Sequence, residues 1–154
     1  MKTNQLAQVA LLLWAVTIAV LLWFFLRNRT VADTEARTAI MLHPAERQMV
    51  LSEMRDLLGA TQGILEGAGR GDKERIAMAA RAGGMAGTAQ VNPGLMAKMP
   101  LAYKALGMNV RHEMDNIASA AEDGKPTEEL LKMTSDTLAK CVSCHAAWRL
   151  EANK

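Results

Sequence analysis

The sequence predicts an all-α chain: one apolar N-terminal helix followed by an antiparallel four-helix bundle. Three observations carry that reading. Residues 9–26 run VALLLWAVTIAVLLWFFL, with Thr17 as the one polar side chain. Beyond residue 29, apolar residues recur at three- and four-residue spacing, and no clear alternating run marks a strand. Turn signals rich in Gly and Pro cut the remainder into helical lengths with mostly short links, which favour antiparallel neighbours.

The first helix rests on length. About 18 apolar residues suffice to cross the hydrocarbon core of a bilayer, and Trp23, Phe24 and Phe25 cluster at one end, where aromatics favour the headgroup zone. A cleaved secretory signal has a shorter apolar core and a small-residue cleavage site. This run ends instead in Phe-Phe-Leu-Arg-Asn-Arg. Residues 1–29 therefore read as a retained transmembrane anchor. Lys2 and the amino terminus on one side oppose Arg27 and Arg29 on the other, so flanking charge gives almost no orientation.

Residues 30–43 read as a juxtamembrane linker or short helix. Pro44 suits the first turn of a new helix. Its inner face is Val50, Leu51, Met54, Leu57, Leu58, Ile64 and Leu65, and Gly67, Gly69 and Gly71 end it. Asp72 is a natural N-cap for the second helix. That helix carries a stripe of Ile76, Ala79, Ala80, Gly83, Ala86 and Gly87. Such small residues admit a close backbone or a flat ligand; equally, Gly83-Gly84 would fray the helix after Arg81. The stretch from Gln90 to Met99 is the longest irregular connection. Pro100 opens a third helix with Tyr103, Leu106, Val110, Met114, Ile117 and Ala121 on one face. Gly124-Lys125-Pro126 is the last turn, and Thr127 caps the fourth helix. The bundle domain is thus expected over 44–154, with helices of about 18–24 residues.

Composition makes that bundle unusual. Hydrophobic residues are 50% of the chain, yet only three Trp, one Tyr and two Phe occur. Trp14, Trp23, Phe24 and Phe25 all precede residue 26. The bundle must fill its core with Leu, Ala and Met, and the 11 methionines are adaptable gap-fillers rather than rigid packers. The net charge of +2 belongs to the anchor's flanks; residues 30–154 carry 15 basic and 16 acidic side chains. That balance gives no surface for nucleic acid.

Both cysteines and one of the three histidines sit in Cys141-Val142-Ser143-Cys144-His145. C-x-x-C-H is the sequence of c-type haem attachment. Residues i and i+3 share a helix face, so two thiols can join two vinyl groups while the following imidazole binds the iron. Leu131, Thr134, Leu138, Cys141, His145 and Trp148 follow a 3-4-3-4-3 rhythm that would aim the motif into the bundle. A zinc site would need further ligands from His43 or His112. A thioredoxin-like redox pair would need a neighbouring βαβ unit, and plain structural cysteines are the remaining alternative. One haem would also supply the large apolar plate that an aromatic-poor bundle lacks.

A single C-x-x-C-H near the end of a four-helix bundle, here CVSCHAAWR, resembles the class II c-type cytochromes, the cytochrome c-prime group. The resemblance covers residues 44–150 and leaves the anchor outside it. It implies one covalent haem c held by Cys141 and Cys144, His145 as proximal iron ligand, and Arg149 near that ligand. The family's sixth position lies about three turns after a Pro-initiated helix start, which from Pro44 falls at Met54 or Arg55. Met54 is on the apolar face and is the expected thioether ligand; its alternative is a packing residue facing a five-coordinate iron. Met41, Met49, His43 and His112 are weaker rivals.

Two filled axial positions favour electron transfer over bond chemistry, and Met ligation raises the potential. No acid–base pair or nucleophile assembly stands out elsewhere, so the expectation is an electron carrier, not an enzyme. It would serve redox partner proteins alone or within a larger membrane complex, and an oligomer is compatible with the sequence. The resemblance also implies attachment outside the bacterial cytoplasmic membrane, hence a cytoplasmic N-terminus and a periplasmic haem domain. The alternatives are a five-coordinate haem protein binding a gas such as nitric oxide, and an accessory interaction subunit.

Overall fold

The computed structural model describes residues 2–26, 36–88 and 93–153, with side chains of the first helix described from 7 to 22. The chain divides into two compact units, residues 1–35 and 36–154. In the first, α1 (Lys2–Leu26) is a single helix of 25 residues, about 37 Å long. Its described side chains are all exposed, and the Thr17 hydroxyl donates to the Leu13 carbonyl at 2.8 Å. Among the described residues no helix is long and apolar enough to cross a membrane. The expected aromatic end at Trp23, Phe24 and Phe25 and the flanking Arg27 and Arg29 fall outside the described side chains.

The second unit is mostly helical. It contains α2 (Pro44–Arg70), α3 (Lys73–Gly83), α4 (Pro93–Lys98), α5 (Leu101–Glu122) and α6 (Thr127–Ala147), with a 3-10 turn over Met85–Thr88. Helix α2 packs on α3, α3 on α5, α5 on α6, and α6 back on α2, so four helices close a ring.

Local chemistry sets the ends. Pro44 opens α2, and the Glu46 carboxylate accepts the His43 N–H at 2.9 Å. Gly67 and Gly69 do not end α2 as expected. Gly71 does, because its φ of 67° is the left-handed turn in which glycine lacks the usual steric penalty. Asp72 caps α3 by accepting the Arg75 N–H at 2.9 Å.

Two elements depart from a purely helical reading. The expected linker ends in a strand, β1 (Thr38–Leu42), and the fourth helix stops at Ala147 before a second strand, β2 (Trp148–Ala152). They pair in parallel from Thr38 opposite Trp148 to Leu42 opposite Ala152. Ile40 and Leu42 point inward and are buried, whereas Met41 between them faces out, an alternation too short to register beside the helical pattern. The stretch after Gln90 also holds a short helix, α4, where an irregular connection was expected.

The second helix is shorter than predicted, 11 residues against 27 in α2. It neither frays at Arg81 nor runs on through Ala86: it ends at Gly83. Its small residues serve close backbone approach. A Cβ built on Gly63 of α2 would lie 2.7 Å from the Ala79 Cβ, and one on Gly67 would lie 2.8 Å from Ile76 Cγ1 and 2.9 Å from the Ile76 nitrogen.

The core falls into two clusters. One joins Ile64, Ile76, Ala80, Met114, Ile117 and Leu130 where α3 completes the ring. The other gathers Ile40, Leu42, Val50, Leu95 and Met99 beside the strands, with Met54, Tyr103 and Trp148 packed against it.

The glycine contacts give opposite signs to two alanine substitutions on one helix. Gly67→Ala forces a methyl into the α2–α3 contact and should cost about 1–3 kcal/mol. Gly59→Ala meets no atom within 4 Å and should stabilise by up to about 1 kcal/mol through helix propensity alone. Denaturant midpoints of the two variants would decide this, and equal midpoints would remove the close-packing account.

Candidate cofactor site

CVSCH occupies the last turns of α6. Cys141 and Cys144 are one turn apart, both half-buried and both free thiols. With His145 they line a cavity of about 410 Å³. The facing walls are Val50, Met54 and Leu57 of α2, Leu95 and Met96 of α4, and Tyr103 and Val110 of α5. These walls are largely apolar, and the volume lies in the usual range for small-ligand sites, about 300–1,000 Å³.

The seam that aims the motif differs from the predicted one. Leu131 and Leu138 are exposed at 39% and 36%, whereas Leu130, Thr134 and Thr137 are buried. The inward line is therefore Leu130, Thr134, Thr137, Cys141 and Cys144: Thr134 and Cys141 stand on the predicted seam, while Leu130 and Thr137 replace Leu131 and Leu138. Each hydroxyl donates to the carbonyl four residues back, Thr134 to Leu130 at 2.8 Å and Thr137 to Met133 at 2.9 Å. Their burial leaves no orphan donor. Trp148 is not on α6 at all; it opens β2 and meets Tyr103 edge to face, with centroids 5.9 Å apart at 87°.

A second cavity of about 240 Å³ shares Met54, Tyr103, Cys144 and His145 with the first. Met54 and His145 thus border both spaces. Arg149 lines the smaller one, with Arg37 and Arg47, and forms an ion pair with Glu151. Cys141, Cys144, His145 and Met54 therefore line one cavity, and Arg149 lies on the other, which shares Met54, Cys144 and His145 with it. The rivals lie elsewhere. His43 and His112 are exposed, as are Met41 at 49% and Met49 at 42%, and none lines either cavity.

Some of the lining was not foreseen. Met96, Met99 and Met108 also border the larger cavity, but only Met54 among the methionines borders the smaller one as well. Arg111 is buried at 8% exposure; it reaches Glu53 at 3.3 Å and donates to the Gly84 carbonyl at 3.3 Å. A sequence signal existed, since Arg111 sits between Val110 and Met114 on the flank of the inner face of α5. A charged residue there reads by default as solvated.

Burial sets the electrostatics. Loss of water pushes the Cys141 thiol above its ordinary value, and does the same for Cys144, where the neighbouring Cys141 adds to the effect. Burial pushes the Tyr103 phenol up to about 12, with the charges of Cys144 and Glu53 adding to it, so the ring stays neutral across physiological pH. Among the described residues no cluster of three or more His, Cys, Asp or Glu side chains is arranged to hold a bare metal ion. That leaves the zinc alternative without a ligand set there. The donors present are instead two protonated thiols one turn apart, an imidazole beside them, and a thioether on the wall of the same cavity. This set fits a covalently attached haem.

No protein-family model, curated protein or solved structure matches the chain.

Because both thiol values are raised, less thiolate is present at any pH below them, and the thiolate is the nucleophile. In chain produced without haem, Cys141 and Cys144 should alkylate more slowly at pH 8 than in the same chain unfolded in denaturant. The gap should narrow as pH rises through the folded-state values. Faster labelling of the folded chain would contradict the burial account.

Proposed function

We propose that the chain is a membrane-anchored monohaem c-type cytochrome, similar to the class II group, that carries single electrons on the periplasmic face of a bacterial inner membrane. The observation that carries this reading is the presence of Cys141, Cys144 and His145 together on the wall of one apolar cavity that also takes Met54.

Each residue has a defined task. The Cys141 and Cys144 sulfurs would tether the group as thioethers, the His145 imidazole would offer a nitrogen to its iron, and the Met54 sulfur would offer a thioether from α2. Val50, Leu57 and Leu95 would pack against the group and lower the local dielectric on that side. Tyr103, held neutral, adds no charge beside the iron. Bound there, haem supplies reversible one-electron iron chemistry. Were His145 and Met54 both to bind the iron, substrate would find no open coordination position, which favours a carrier over an enzyme. Its partners are redox proteins or a larger membrane complex, and an oligomer is compatible with the fold.

The anchor reading rests on the apolar run from Val9 to Leu26 and on Thr17, whose hydroxyl donor is already paired inside the helix. A polar side chain in lipid needs that internal partner. The orientation follows from haem attachment outside the cytoplasmic membrane: N-terminus in, residues 36–154 out. A five-coordinate, gas-binding haem is the second reading, favoured by open volume on both sides of Met54. An accessory interaction subunit is the third.

Three measurements test this. Haem staining on a denaturing gel should be positive in the wild type and lost when Cys141 and Cys144 are both replaced by Ala; retained stain sinks covalent attachment. Met54→Leu should convert low-spin ferric iron to high-spin, whereas an unchanged spectrum excludes Met54, and a high-spin wild type that takes up carbon monoxide selects the second reading. A Thr30→Cys variant in intact spheroplasts should react with an impermeant thiol reagent; protection there reverses the proposed topology.

A further inference from the structure

The four last carbonyls of a helix have no partner within it, and in α6 they belong to the turn that carries His145. The Cys144 carbonyl accepts the Trp148 N–H. The His145 carbonyl accepts from the far end of the sequence: Arg37 Nη1 donates to it at 3.3 Å across 108 residues. Arg47 Nε donates to the Leu150 carbonyl at 3.1 Å, and the Asn153 N–H donates to the Leu42 carbonyl at 2.8 Å. Between these contacts lies the five-residue parallel ladder that begins at Thr38 and Trp148. The segment leaving His145 is therefore held along its length by residues 37–47. Ile40 and Leu42 bury the far side of β1 in the core cluster that also contains Val50 and packs Met54, so one strand touches both the His145 segment and the wall bearing Met54.

We propose that β1, Arg37 and Arg47 form a brace that fixes the position of His145 relative to the opposite wall of the cavity, which makes Arg37 and Arg47 positioning residues for the axial ligand. This rests on the haem reading above. An axial bond is sensitive to displacement of the residue that supplies it, so the brace sets the ligand field as well as the fold of the C-terminus. Sequence patterning gives no hint of it, because the N-terminal half of the contact lies in a stretch that reads as linker.

The test uses the full-length holoprotein and Arg37→Gln, which keeps a polar side chain but loses the reach of the guanidinium. The g-values of the ferric iron and the midpoint potential should both shift, and Arg37→Lys should restore part of the shift. Amide exchange over residues 145–150 should speed by about tenfold, the loss expected when one stabilising hydrogen bond goes. Should Arg37→Gln fail to accumulate, Arg47→Gln removes the support at Leu150 and carries the same expectations. A haem-positive wild type whose g-values, potential and exchange are untouched by either substitution overturns the brace alone. A haem-negative wild type overturns the functional reading on which it rests.

Discussion

The constraint on which the second unit depends is that its helical ring is complete at one end only. Helix α3 spans 11 residues, about 16 Å, beside an α2 of 27 residues, about 40 Å. Where α3 is present, Ile64, Ile76, Met114, Ile117 and Leu130 fill the ring. Where it is absent, α2, α5 and α6 face a space without a fourth helix. The short α4 covers part of it, and the Lys98–Glu46 ion pair at 2.6 Å ties that cover to α2. An isolated surface pair contributes little, so the cover is held mainly by Leu95 and Met99 in the second core cluster. The larger cavity is what remains. Side chains able to fill it are scarce, since the only aromatics in residues 36–154 are Tyr103 and Trp148.

The same truncation explains the buried arginine. Past Gly83 the chain turns away, and Gly84 leaves its carbonyl facing α5. A Cβ there would crowd the Asp115 carboxylate, so any larger residue would have to push that side chain aside. Asp115 accepts the Met85 N–H at 3.0 Å, and Arg111 donates to the Gly84 carbonyl while reaching Glu53 on α2. A charge in that position is tolerated because it is paired and hydrogen-bonded. It joins the end of α3, the middle of α5 and the flank of α2 at the boundary of the open space.

What was legible in the sequence followed from period and punctuation. Apolar spacing marks the face of α5 and part of that of α2, where Val50 and Ile64 are buried but Leu58 and Leu65 are exposed; Pro44 and Gly71 are strong local stops, and Asp72 caps as its chemistry requires. CVSCH drew attention because cysteine is used nowhere else. Other features depended on relations that spacing cannot express. The seam of α6 keeps Thr134 but takes Leu130 and Thr137 in place of Leu131 and Leu138, because leucine reads as buried and threonine as exposed, although Thr137 satisfies its own hydroxyl within the helix. Gly67 reads as a helix end and Gly63 carries no signal of its own, since nothing local reveals that a neighbouring helix packs where their side chains would be. The strand at 38–42 was invisible because its partner lies past the last helix, and a lone five-residue alternation carries little periodic signal.

The pairing of β1 with β2 also has a kinetic side. Its two strands are separated by the whole helical body, so the ladder closes the longest loop in the fold, and such closure comes after local helices have formed. Until residues 148–152 arrive, β1 presents an unpaired edge. A bare apolar edge is a template for strand exchange between copies. The order in which the two ends of this unit are completed therefore governs whether a crowded population of new chains yields monomers or strand-swapped pairs.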